Sequence, residues 1–239
     1  MFNIPERYRT DVKISLKDFV PTDLKFNDKK RIKDAIKSVK LVYQITGEEI
    51  PSVVNECYRC QVIQFYDIEL MDIKEANFLA SMYQNLIKPF CIIRMYDTKD
   101  ELYSLAIKRL NHLEEMQVIV EQSLLTPKYV LNIPDSSKNR FLAYVDYIQV
   151  KNKQDKVSMY KEWFYKAYIL QNDKAYSNVN LLLESNFWYD SRRTTQIVSK
   201  YMELIKQREC LKKATTNAER MKVNKLIRTA IRELDREEW

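Results

Sequence analysis

The chain reads as an α/β protein: a mixed sheet containing a βαβ unit with flanking helices, followed by a C-terminal basic helical hairpin. Three observations predict this. Between residues 59 and 110, strand, helix and strand patterns succeed one another over a length that suits a right-handed crossover between parallel strands. Beyond Asp190 the apolar residues recur only at helical spacing. Finally, Gly47 is the single glycine in 239 residues, so no phosphate loop, dinucleotide fingerprint or nucleophile elbow can be spelled. An apolar fraction of 46% is enough for a sizeable core. The expected organisation is an α/β domain with an N-terminal arm over 1–190 and a helical hairpin extension over 191–239.

The elements follow in order. PERYRTDVKISLKDFVPTD reads as an irregular or partly extended arm. Asn27 or Asp28 then caps a helix with Ile32, Ile36 and Val39 on one face, and KLVYQITG (40–47) is a strand ended by the glycine. RCQVIQFYDIEL is a long strand, with Val62, Gln64 and Tyr66 on one side and Ile63, Phe65 and Asp67 on the other. Asp72 caps the next helix, with Glu75 completing a capping-box pattern and Ala76, Leu79, Met82 or Tyr83, and Leu86 as its buried stripe. Pro89 stops that helix. FCIIRMYD is a buried strand, and TKD turns it into the hairpin partner ELYSLAIKRL. EMQVIVEQSL (115–124) reads as a further strand, and NRFLAYVDYIQV (139–150), rich in aromatic and β-branched residues, as another. Asp155 starts the helix KVSMYKEWFYKAYIL, whose Val157, Tyr160, Phe164, Ala167 and Tyr168 form an aromatic stripe, and 172–191 holds a short helix. In the extension, Ile197, Tyr201, Leu204 and Leu211 line one helix. Thr216 and Glu219 mark a fresh start, and Val223, Leu226, Ile227, Ala230 and Leu234 line the second helix.

The net charge of +7 is unevenly placed. Residues 191–239 hold thirteen Lys and Arg against seven Asp and Glu, while the remaining 190 residues are nearly balanced. Such asymmetry points to a polyanionic or acidic partner. On the last helix Lys222, Lys225, Arg228, Arg232 and Arg236 fall opposite the apolar stripe and form a basic face, which is all that contact with nucleic-acid phosphates requires. Glu233, Asp235 and Glu237 flank its end, and Met221 interrupts it. A solvated helix and a protein-docking helix are the competing readings of the same face. The opening MFNIPERYRT has no basic stretch followed by an apolar run, and no window is long enough to span a membrane. Four scattered cysteines make no disulfide framework, so a cytoplasmic bacterial protein without membrane attachment is expected.

Catalytic and metal-binding patterns are sparse. Cys57 and Cys60 form a CxxC that leads into a strand, whereas a redox pair should open a helix and structural zinc should find four ligands. Cys91, Cys210 and the single histidine, His112, lie at no ligand spacing, and His112 reads as a surface residue. Asp67 and Glu69 share one side of a strand, with Asp72 and Lys74 close behind; a metal-dependent nuclease would use acids and a lysine in this way. Against that, Asp72 has a cap to make, and a solvated strand end is the simpler reading. Trp163, Phe164 and Tyr165 fit a core stripe better than a base-stacking platform. No catalytic set, metal ligand or small-molecule cofactor is therefore assigned.

The run CQVIQFYDIELMDIKEANFLASMYQNLIKPFCIIRMYD, then ELYSLAIKRLN, and the tail LKKATTNAERMKVNKLIRTAIRELD resemble the bacterial family called domain of unknown function 4391. The resemblance carries apolar spacing and no active-site residues. It implies a place beside helicases and DNA methyltransferases in restriction-like or phage-defence clusters. The expected function is thus a non-enzymatic accessory subunit of such a complex, docked on a larger helicase or modification enzyme and contacting DNA through the basic tail. The alternatives are a metal-dependent nuclease using Asp67, Glu69 and Lys74, and a stand-alone DNA-binding protein.

Overall fold

A computed structural model describes residues 1–22, 24–111 and 117–237. The chain divides into two compact units, Met1–Phe164 and Tyr165–Trp239. The second takes in the hairpin helices together with the segment from Tyr165 that precedes them.

The first unit is mixed α/β, as the sequence predicts. Strand β1 (Arg9–Ile14) is followed by α1 (Leu16–Phe19), α2 (Phe26–Ala35) and β2 (Ile36–Ile45). Two short strands, β3 (Val53–Val54) and β4 (Arg59–Cys60), pair only with each other. Then β5 (Ile63–Leu70), α3 (Ala76–Leu86) and β6 (Phe90–Tyr96) form the βαβ unit, with β5 and β6 parallel from Ile63 opposite Phe90 to Glu69 opposite Tyr96. β7 (Asp100–Leu110) returns antiparallel beside β6, and β8 (Val118–Leu125) and the short β9 (Tyr129–Val130) pair with β7. The strand order of this seven-stranded sheet is β1-β2-β5-β6-β7-β8, with β9 also on β7.

Because side chains alternate along a strand, the sheet has two faces. One carries Tyr66, Ile68, Leu70, Cys91, Ile93, Met95 and Leu102 against Ala76, Leu79, Ala80 and Tyr83 of α3. The other carries Phe65 and Tyr103 into an aromatic cluster with Phe2, Phe141 and Trp163. α3 stops at Leu86, where Ile87 N–H closes the last turn on the Tyr83 carbonyl ahead of Pro89.

Four local expectations are corrected. Residues 139–150 are not a strand: α4 (Ser136–Val145) and a 3-10 turn at Tyr147–Gln149 occupy them. Asp135 decides this, since its carboxylate accepts the N–H groups of Ser137 and Lys138 and starts a helix that buries Phe141 and Val145, four apart. The helix over the thirties ends at Ala35, so the buried Ile36 and Val39 belong to β2, and Lys25 rather than Asn27 or Asp28 precedes its first turn. Asp72 does cap, but it caps a 3-10 turn (Ile73–Glu75), and the Glu75 carboxylate turns to Arg31 at 2.7 Å instead of closing a capping box. The expected strand over 59–70 is also interrupted, with β4 and β5 in different sheets.

Helix α5 (Lys156–Gln171) runs from the first unit into the second. Burial extends beyond one stripe: Met159, Tyr160, Trp163, Phe164 and Ile169 are inside, as are Lys156, Glu162 and Lys166. Glu162 accepts the backbone N–H groups of Lys151 and Asn152, and Lys156 donates to the carbonyls of Gly47 and Ile50 and to Ser52 Oγ. These partners meet the rule that buried charge is hydrogen-bonded.

The second unit contains α6 (Val179–Glu184), α7 (Ser191–Lys213) and α8 (Asn217–Asp235). Asp190 caps α7 by accepting from Arg192 and Arg193, and α7 buries Ile197, Val198, Tyr201, Leu204 and Ile205. α8 opens with the capping box read from the sequence: Thr216 Oγ1 accepts from Glu219 N–H while Glu219 returns to Thr216 N–H. Thr216→Ala is expected to cost about 1 kcal/mol, measured as a lowered urea midpoint with an unchanged slope. No helix among the described residues is long and apolar enough to cross a membrane.

Candidate functional site

α8 presents the clearest surface feature. Its core side is Ile227, Ala230 and Leu234, with Val223 half-buried and Leu226 largely outside at 44% exposure. With successive residues about 100° apart, Lys222, Lys225, Arg228, Arg232 and Arg236 fall on the opposite side within an arc of roughly 120°. All five are exposed, and none forms an ion pair among the described residues. The flanking acids are turned elsewhere. Asp235 accepts from Tyr176 Oη at 2.8 Å and Asn178 Nδ2, Glu237 pairs with Lys200, and Glu219 is held in the capping box. Only Glu233 of the acids named at the outset stays free beside the stripe. The face is therefore less neutralised than the sequence suggests, and Met221, at 75% exposure, sits among its cations.

The residues considered for nuclease chemistry are drawn into other contacts. Asp67 and Glu69 do lie on one face of β5, but Asp67 Oδ2 accepts from Arg94 Nη1 at 3.2 Å, and Glu69 accepts from Ser38 Oγ and Lys37 Nζ. Lys74 is 81% exposed and pairs with Asp72 at 3.3 Å. The cation on Asp67 is thus Arg94. Among the described residues no cluster of three or more His, Cys, Asp or Glu side chains is arranged to hold a metal ion.

Arg94 centres a charged network that the sequence reading missed. Its guanidinium donates to Glu101 at 2.6 Å as well as to Asp67, and lies 4.6 Å over the Tyr96 ring. Glu101, only 1% exposed, also takes Lys138 Nζ at 2.8 Å and Tyr103 Oη at 3.1 Å. Burial would raise the Glu101 carboxyl, but the bond from Lys138 and the charge of Arg94 outweigh it and hold it below the usual glutamate value. Asp67 goes the other way: burial raises its carboxyl against the pull of Arg94, and its Oδ1 accepts no hydrogen bond. The local signal was available in FCIIRMYD, where one arginine interrupts an otherwise apolar buried strand.

Of the remaining candidates, Cys57 is exposed and Cys60, the last residue of β4, is buried. Burial pushes the Cys60 thiol up to about 12, unlike the lowered value of a redox thiol. Trp163, Phe164 and Tyr165 are core, as their spacing indicates. His112 lies outside the described residues.

The chain matches the family described as Domain of unknown function (DUF4391) over residues 2–234, nearly its whole length, and it belongs to that family. No curated protein and no solved structure matches it.

Proposed function

We propose that the protein is a non-enzymatic accessory subunit of a bacterial anti-phage defence or restriction-like complex, which lays α8 along a nucleic-acid backbone while docked on a larger helicase or modification enzyme. One observation carries the nucleic-acid half: five exposed cations aligned on one side of α8 with no carboxylate partner among the described residues. Lys and Arg left unpaired along a rigid helix suit phosphates spaced along a polyanion, and such contacts need no base-reading side chains. The docking half rests on the family, whose resemblance implied a place beside helicases and DNA methyltransferases.

The test is fluorescence anisotropy of a labelled DNA duplex across a salt series, with the full chain and with Lys222→Glu/Lys225→Glu/Arg228→Glu. If all five cations meet phosphates, log affinity falls against log salt with a slope of roughly −4.5. The triple variant should lose binding at every salt concentration. Affinity that ignores salt, or a triple variant that binds like the wild type, would sink the nucleic-acid half. Co-purification from the native host then decides the docking half.

A further inference from the structure

A second feature of the Tyr165–Trp239 unit is a cavity of about 490 Å³ between the 3-10 turn Asp173–Ala175 and the last turns of α7. Arg208 and Lys212, four apart and so on one face of α7, line it with Lys174. Ile205, Leu211 and Ala175 contribute apolar wall. Arg208 is the unusual member. Among the described residues its Nε is shielded from solvent with no acceptor, and its guanidinium makes no ion pair, although Asp173 and Glu209 border the same cavity. The Nε is closed to solvent and so to the cavity, while the terminal N–H groups of the guanidinium, which form no ion pair among the described residues, are left for an anion held there.

The walls are held in place beforehand. Tyr201, fully buried, donates its hydroxyl to the Asn172 carbonyl at 2.7 Å, the same oxygen that takes Ala175 N–H, while Asn172 Nδ2 is tied to the Tyr168 carbonyl. The turn opposite α7 is therefore pinned from both sides, and a ligand would meet a formed site.

We propose that this cavity binds a mononucleotide, with its phosphate on Arg208 and Lys212 and its ring against Ile205 and Leu211. Guanidinium and ammonium together suit a phosphate monoester. The volume lies in the range of small-molecule sites. Three cations against two carboxylates leave a single net positive charge, which favours one phosphate over a triphosphate. The mononucleotide is either free or the terminal unit of a strand. The site stands independently of the basic face on α8.

Isothermal titration of the full chain with 5′-AMP, adenosine and ATP tests it. AMP is expected to bind one to one with a Kd on the order of 100 µM. Adenosine and ATP should each be at least about tenfold weaker, and Arg208→Gln should lose at least about tenfold for AMP. The Lys222/Lys225/Arg228 triple variant should keep AMP binding, and Arg208→Gln should keep the salt-dependent duplex binding, so this site and the α8 reading fail separately. If Arg208→Gln does not fold, Lys212→Gln must show the weakening. A 5′-phosphorylated single-stranded oligonucleotide that binds better than its 5′-hydroxyl twin, while free AMP does not bind, assigns the site to a strand end. No binding of AMP or of the phosphorylated end, or binding indifferent to Arg208 and Lys212, overturns the proposal.

Discussion

Glu101→Gln is expected to lower stability by about 3 kcal/mol at neutral pH. The substitution keeps the shape of the side chain and removes the one carboxylate that Arg94, Lys138 and Tyr103 share, in a position only 1% exposed. Arg94 retains Asp67, and Lys138 is 21% exposed and can turn outward, which sets the effect at the lower end for a broken buried pair. The pH dependence has a definite sign. The Glu101 carboxyl is held below its ordinary value of 4.5, so its contribution is present above that pH and is lost as pH falls through the lowered folded value. The gap between wild type and Glu101→Gln should therefore narrow on acidification below about 4.5. Asp67 acts oppositely. Its raised carboxyl costs stability while ionised, and protonation relieves that cost as pH falls through its folded value. Urea denaturation of both proteins across acid pH reads the two effects together; a neutral-pH loss below about 1 kcal/mol would mean that the network behaves as an exposed one.

Trp163→Ala should cost about 4 kcal/mol. The indole is fully buried, packs edge-on against Phe65 at 5.6 Å between ring centres, approaches Phe2 at 6.2 Å, and donates Nε1–H to the Val145 carbonyl at 2.9 Å. Truncation removes ring contacts from the sheet face that carries Phe65 and Tyr103 and leaves a carbonyl at the end of α4 without its partner. Trp163→Phe keeps much of the packing and loses only the donor, so its loss should be less than half as large. A thermal melt that moves equally for both variants would place the effect in the hydrogen bond rather than the cavity.

The elements legible in the sequence were those whose signals are local and mutually consistent. The βαβ unit was visible because Pro89 and the switch from alternating to helical spacing fall where they should, and β5 and β6 are indeed parallel. The hairpin helices were visible because Thr216 and Glu219 both close the cap and the buried Ile227, Ala230 and Leu234 follow at helical spacing. α4 was misread because aromatic and β-branched content was weighed over the Asp135 cap and the Phe141–Val145 spacing. The ion network was illegible for a different reason. Asp67, Arg94, Glu101 and Lys138 come from β5, β6, β7 and α4, and only the sheet register sets Asp67 beside Arg94. The Arg208 cavity likewise depends on a turn more than thirty positions away in the chain.

The near absence of glycine also shapes the disordered state from which the protein folds. Gly47, at φ +80°, takes the left-handed backbone that glycine accepts freely, but Phe2, Asn3 and Asp11 hold φ between 45° and 49° without that freedom. For Phe2 the compensation is its place among Phe65, Tyr103, Phe141 and Trp163. At every other position a Cβ restricts the backbone of the unfolded chain, and relative to glycine that is worth about 0.4–1 kcal/mol per position where the native backbone tolerates it. Part of this fold's durability is accordingly a property of the denatured chain, and no inventory of native contacts will contain it.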